Sequence, residues 1–168
     1  MADQKIKKLV QAALFAALCT VMTLVVQIPS PMQGYVNLGD CAVLLSAWIL
    51  GPLYGGAAAG IGSMLADLFG YAHYAPGTLV IKFTMAVAAA LLFRGLRKHN
   101  LLLAQGLSGV VCGAILVTGY FAYACLWLGK GWAAAASIPG NIVQAIFGLI
   151  AATLVYAALN RSRALAHI

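Results

Sequence analysis

Lysine and arginine fall in three short clusters along this chain: Lys5, Lys7 and Lys8 near the start, Arg94, Arg97 and Lys98 in the middle, and Arg161 with Arg163 at the end. Hydrophobic runs separate them. That layout constrains the fold more than any single motif does. Basic residues beside apolar runs mark the cytoplasmic side of membrane spans, so clusters sharing a side are separated by an even number of spans. With 64% hydrophobic and only 8% charged residues in 168, the chain has too little polar surface to coat a water-soluble globule. Its net charge of +7 therefore reports topology. The basic residues do not line one polar face, as a nucleic-acid surface requires.

Parity decides how to divide the stretch from Cys41 to Phe69. Its middle reads Gly51-Pro52-Leu53-Tyr54-Gly55-Gly56, a helix-breaking turn, so it is expected to form two spans. The expected fold class is an all-α integral membrane protein: a compact bundle of six transmembrane helices, both termini cytoplasmic, in a single membrane domain over residues 1–168. The helices are expected near 6–28, 39–52, 55–70, 78–96, 101–127 and 134–160. The second and third fall below the roughly 20 residues that cross a hydrocarbon core of about 30 Å. Ile6 to Ile28 is long enough to span, and Pro29-Ser30-Pro31-Met32 lacks a small-residue cleavage pattern, so the first helix is expected to be retained.

Few charges remain inside this map, and each is costly enough in a bilayer to raise a functional hypothesis. Asp40 opens the second helix, Asp67 closes the third and Lys82 lies in the first turns of the fourth, all toward the outer side. Asp67 and Lys82 flank one outer loop, where a structural ion pair would fix the hairpin. Asp40 can cap its helix after Asn37-Leu38-Gly39. Binding a solute is the other reading of Asp40, Asp67 and Lys82. On the sixth helix, Asn141 and Gln144 share a face and would bond either to neighbouring helices or to a ligand. Pro139-Gly140 just before them interrupts helical hydrogen bonding, which membrane depth tolerates only where protein or a wet cavity supplies partners.

Aromatic residues recur in the outer loops: Tyr35 beside Pro29, Pro31, Gln33 and Asn37 in the first, Tyr71, His73 and Tyr74 in the second, Trp127, Lys130 and Trp132 in the third. An interfacial belt accounts for many such residues. Together with Asp40, Lys82, Asn141 and Gln144 they also describe a concave site, with stacking surfaces and a few oriented polar groups, suited to a small heteroaromatic solute. Asn37, Asp40, His73, Tyr74, Lys82, Trp127, Asn141 and Gln144 are the candidate substrate-binding residues. Near the cytoplasmic end of the first helix, Ala12 with Ala16 and Ala13 with Ala17 form two small-x-x-x-small steps, which serve packing within the bundle or docking of a partner helix.

Four motifs in order, Tyr35-Val36-Asn37-Leu38-Gly39-Asp40, the Gly51 to Gly56 turn followed by Gly60 and Asp67, the stretch Tyr71 to Lys82, and Ile138-Pro139-Gly140-Asn141-Ile142-Val143-Gln144, make the chain resemble the S component of an energy-coupling factor (ECF) transporter. The riboflavin-transporter-like S components are the most similar. The resemblance implies a vitamin-binding subunit of the bacterial cell membrane that docks on one transmembrane coupling subunit and two ABC ATPases. It also implies that the vitamin is bound near the outer surface by the loops after helices one, three and five with helices four to six. Paired small residues on the first helix meet the coupling subunit in that family, and Ala12 with Ala16 occupies the matching place, with Ala13 and Ala17 as the adjacent register. After capture the whole subunit is thought to topple within the membrane.

A compact hydroxylated ring, pyridoxine or hydroxymethylpyrimidine, is the preferred cargo, because Tyr, His and amide groups suit it. Riboflavin, pantothenate, folate and a queuosine precursor stay open. An enzyme is not expected: Gly62-Ser63 looks like a fragment of an intramembrane protease, but His73, His99 and His167 lie outside the expected spans. Cys19, Cys41, Cys112 and Cys125 lack zinc-binding spacing, so neither metal nor cofactor is expected. A stand-alone proton-coupled carrier using Asp40 or Asp67 is the competing class, although carriers commonly show paired repeats and none is evident.

Overall fold

The computed structural model describes residues 2–30 and 34–162; Pro31, Gln33 and Arg163 lie outside the described residues. The chain forms α1 (Ala2–Val25), a two-stranded antiparallel hairpin of β1 (Gln27–Ser30) and β2 (Gly34–Asn37), α2 (Gly39–Leu50), α3 (Pro52–Leu68), α4 (Ala75–Leu96), α5 (Leu101–Ala122) and α6 (Ile138–Arg161). A π-helical turn over Tyr123–Trp127 prolongs α5, and a 3₁₀ segment over Gly131–Ser137 leads into α6. This is the expected all-α bundle. Four of its helical segments are long and apolar enough to cross a membrane.

The break between α2 and α3 has a local cause. Gly51 takes φ 85°, a left-handed value that glycine adopts without penalty, and Pro52 opens α3 where a missing N–H costs nothing. A side chain at Gly51 would overlap the Arg94 guanidinium, whose Nη2 reaches the Leu50 carbonyl at 3.5 Å. A basic side chain beside the last carbonyls of α2 also suits that helix's dipole. Pro76 and Pro139 likewise sit in first turns, and Asn100 caps α5 by accepting from the Leu103 N–H at 3.0 Å.

Packing places α2 at the centre, with eleven of its twelve residues buried. Lipid tails give apolar helices no hydrophobic reason to associate, so close approach through small residues does the work. A methyl group at Gly62 of α3 would overlap the Ala16 carbonyl of α1, and Thr20 of α1 donates to the Gly62 carbonyl at 2.8 Å. Gly56 and Gly60 lie against Phe83 and Leu79 of α4, and Gly148 of α6 lies against Asp40 of α2. Trp48 stacks on Phe93 and Tyr156 meets both rings edge-on, with centroids 5.4 to 5.7 Å apart, where α2, α4 and α6 approach one end of the bundle. The described basic clusters share that end, since Arg94 covers the α2–α3 turn.

Several boundaries differ from expectation for physical reasons. The first helix stops at Val25 instead of running to 28, because Gln27 pairs with Asn37 in the hairpin. The third begins at Pro52, not 55, since proline fits its first turn. The fourth begins at Ala75, not 78, for the same reason at Pro76. The fifth ends as an α-helix at Ala122, and residues 131–137, expected in part within the sixth helix, are 3₁₀.

A buried polar network beneath an aromatic mouth

At the end of the bundle opposite the basic clusters, four elements each contribute one polar side chain to a single point. Asp40 projects from the first turn of α2, Lys82 from the second turn of α4, Gln144 from the second turn of α6, and Asn37 ends β2. Asp40, Lys82 and Gln144 are 2%, 3% and 2% exposed. Lys82 Nζ donates to Asp40 Oδ1, and Gln144 Nε2 donates to Asp40 Oδ2 at 2.8 Å. The Gln144 carbonyl accepts from Asn37 N at 3.0 Å and Asn37 Nδ2 at 3.1 Å, while Asn37 Oδ1 accepts from Gly39 N at 2.8 Å. Because the Gln144 oxygen receives a backbone N–H, its amide orientation follows from the bonding pattern. Charges buried in this way persist only when paired and hydrogen-bonded, and both carboxylate oxygens of Asp40 are used.

Two expectations are corrected. Lys82 pairs with Asp40, and Asp67 accepts a hydrogen bond from Thr78 Oγ1 instead of pairing with Lys82. The reason is register: Asp67, in the last turn of α3, lies level with the first turn of α4, which carries Thr78, and Lys82 one turn deeper reaches α2. Nor does Asp40 cap its helix. Leu38 holds the cap position, and the Asn37 side chain satisfies the Gly39 N–H.

Tyr120 of α5 joins this layer to the next. Its hydroxyl lies 2.9 Å from Thr78 Oγ1, and since Thr78 donates to Asp67, Tyr120 donates to Thr78. Its ring centroid is 5.6 Å from Lys82 Nζ, within cation–π range. Above it, the Tyr74 ring lies 4.7 Å from His73, 6.2 Å from Tyr120 and 6.1 Å from Tyr123. Tyr123 and Trp127 stack at 6.3 Å and 14°. The π turn supports that pairing, and Tyr123 packs on the backbone at Gly77, where a methyl group would come within 2.7 Å of its ring. Tyr123 also donates to the His73 carbonyl at 3.0 Å, tying α5 to the α3–α4 loop.

The candidate residues thus fall into two layers. Asn37, Asp40, Lys82 and Gln144 form the buried network; His73, Tyr74 and Trp127 belong to the aromatic mouth, with Trp127 77% exposed. Asn141 stands half-buried one turn nearer the start of α6 than Gln144. Thr78, Tyr120 and Tyr123 were not singled out from sequence. Single hydroxyl-bearing residues such as Thr78 and Tyr120 are too common in apolar helices to stand out. The α1 alanines divide by face: Ala13 and Ala17 are exposed beside Val10, Leu14 and Val21, whereas Ala12 and Ala16 are half-buried and Ala16 meets α3.

The profile of a family described as ECF-type riboflavin transporter, S component, matches residues 3–161. An uncharacterized protein of Pyrococcus woesei, described by its place in a gap 3′ region, is 42% identical over 132 residues, covering 78% of this chain and 86% of that protein. A solved structure described as the S component of a bacterial ECF transporter superposes with a TM-score of 0.68 at 20% identity, covering 94% of this chain and 97% of that one.

Proposed function

The chain belongs to the family of ECF-type riboflavin transporter S components, and from that premise we propose that it captures a planar heteroaromatic vitamin at the extracytoplasmic end of the bundle, riboflavin being the first candidate. An S component is a membrane-embedded substrate-binding subunit, not an enzyme. The observation that carries the vitamin reading is the layering of Tyr74, Tyr120, Tyr123 and Trp127 above a polar floor that is already satisfied. With Asp40, Gln144 and Asn37 committed to one another, affinity comes mainly from ring stacking, and Lys82 supplies the remaining donors of its ammonium to ligand carbonyls. The family description names riboflavin, whose fused aromatic ring system is large enough to use several of these walls.

A second reading keeps the compact ring, pyridoxine or hydroxymethylpyrimidine. It is favoured by His73 at the mouth and by half-buried Asn141, whose polar groups suit small hydroxylated rings. In either case the partners are a transmembrane coupling subunit and two ABC ATPases, with the described basic clusters and both termini on the cytoplasmic side of a cell membrane. The exposed Ala13 and Ala17 face is the docking stripe, in preference to the Ala12 and Ala16 register that leans on α3.

Calorimetry on protein in lipid nanodiscs tests the cargo, with riboflavin, pyridoxine and hydroxymethylpyrimidine titrated side by side. Submicromolar riboflavin binding with quenched flavin fluorescence is expected. Binding of a smaller ring alone would transfer the assignment to the second reading, and saturable binding of none would overturn the site. Uptake that continues when the ATPases are inactivated would instead favour a proton-coupled carrier.

A further inference from the structure

We infer that Lys130 is a positioning residue for capture: from a glycine-framed turn it clasps the Tyr74 hydroxyl, fixes that ring as a wall of the mouth and closes the α5–α6 connection over it. This rests on the site proposed above. Lys130 Nζ donates to Tyr74 Oη at 3.1 Å across 56 residues of sequence and lies 5.2 Å from the ring centroid. Tyr74 in turn contacts His73, Tyr120 and Tyr123, so the clasp acts through the most connected ring of the array.

The backbone explains why a flexible lysine is held there. Leu128 N donates to the Tyr123 carbonyl and Lys130 N to the Ala124 carbonyl, both at 3.1 Å, closing the helix end around Gly129 at φ 67°. The glycine-centred stop of an α-helix joins the residue after the glycine to a carbonyl five residues back; here Lys130 reaches one residue further, because the helix ends in the wider π turn. Gly131 follows at φ 55°, so Lys130, itself at φ −74° and ψ −11°, is bracketed by two left-handed residues. A methyl group at either glycine would meet nothing within 4 Å. Backbone conformation, not space, is therefore what calls for glycine at both places. The turn sets the direction of the Lys130 side chain, and the cation links the outer ends of α4 and α5. Among the described residues, the other Lys or Arg at this end is Lys82, which is buried.

A ligand stacked against Tyr74 leaves only after the clasp opens or the ring turns, so the contact sets residence time more than encounter rate. Riboflavin dissociation from nanodisc-embedded protein, followed by stopped-flow fluorescence, is the primary readout. Lys130→Met and Tyr74→Phe, which keeps the ring, should each speed dissociation by roughly threefold to tenfold. The double variant should be no faster than either single one, and Lys130→Arg should restore slow release. Gly131→Ala should reproduce part of the effect. Unchanged release in Lys130→Met, or additive effects in the double variant, would overturn the clasp. Hydrogen exchange without ligand provides an independent arm: Lys130→Met should raise exchange both in residues 128–132 and around Tyr74, and unaltered exchange at Tyr74 would also overturn it. If Tyr74→Ala leaves riboflavin affinity unchanged, the site reading fails, and the exchange arm alone decides the clasp.

Discussion

At the scale of single residues, the molecule depends on one buried cation and the carboxylate it meets. Lys82 and Asp40 both lie almost wholly out of solvent, and Gln144 and Asn37 complete their bonding. Removing one member of such a pair leaves the other charged and alone, at a cost of about 3–5 kcal/mol. Lys82→Met is accordingly expected to lower the unfolding midpoint sharply in detergent. Asp40→Asn placed on top of it should recover most of the loss, since asparagine still accepts from Gln144. Circular dichroism melts of the three proteins would check this, and a single variant as stable as the parent would contradict the ion-pair account. The identities of these groups were legible because polar residues are rare in apolar runs. Their partners were not. Whether Lys82 meets Asp67 or Asp40 depends on how α3 and α4 slide past one another, and that register is set by Gly56 and Gly60 against Phe83 and Leu79.

At the scale of elements, α1 has two working faces. One carries Ala16, Cys19, Thr20 and Thr23 into the bundle, and the other shows Val10, Ala13, Leu14, Ala17 and Val21 to the surroundings. Two variants separate them. Gly62→Ala forces a methyl group onto the Ala16 carbonyl, so it is expected to destabilise the bundle by about 1–3 kcal/mol, read as a lower unfolding midpoint. Ala13→Leu with Ala17→Leu should leave stability and vitamin affinity intact while abolishing copurification with the coupling subunit and ATPases. Retained copurification would move the docking stripe elsewhere. The Gly51-Pro52 stop was legible because both residues act through their own backbone. The hairpin after α1 was not, since its segment contains Pro29 and Pro31 and lacks strand alternation. The π turn was equally hidden, for its first residue, Tyr123, finds its neighbour Gly77 only across the bundle.

At the scale of the whole molecule, the described basic clusters gather at one end and the polar network with its aromatic mouth at the other. A single cysteine introduced at His99 in a variant free of its own cysteines should react with an impermeant maleimide only from the cytoplasm, whereas one at Trp132 should react from outside. Reversed labelling would invert the topology. Between the two ends runs α2, a helix of twelve residues with eleven of them buried. Its length of about 18 Å falls well short of a bilayer core. A nascent segment this short offers the insertion machinery too little to hold, so α2 must enter together with α3 as a helical hairpin. Even then its aspartate has no permanent lodging: Lys82 is made some forty residues later, and Gln144 later still. Assembly therefore finishes from the C-terminal side: in a chain interrupted before the last helix, one oxygen of Asp40 still lacks the amide that Gln144 brings to it at membrane depth.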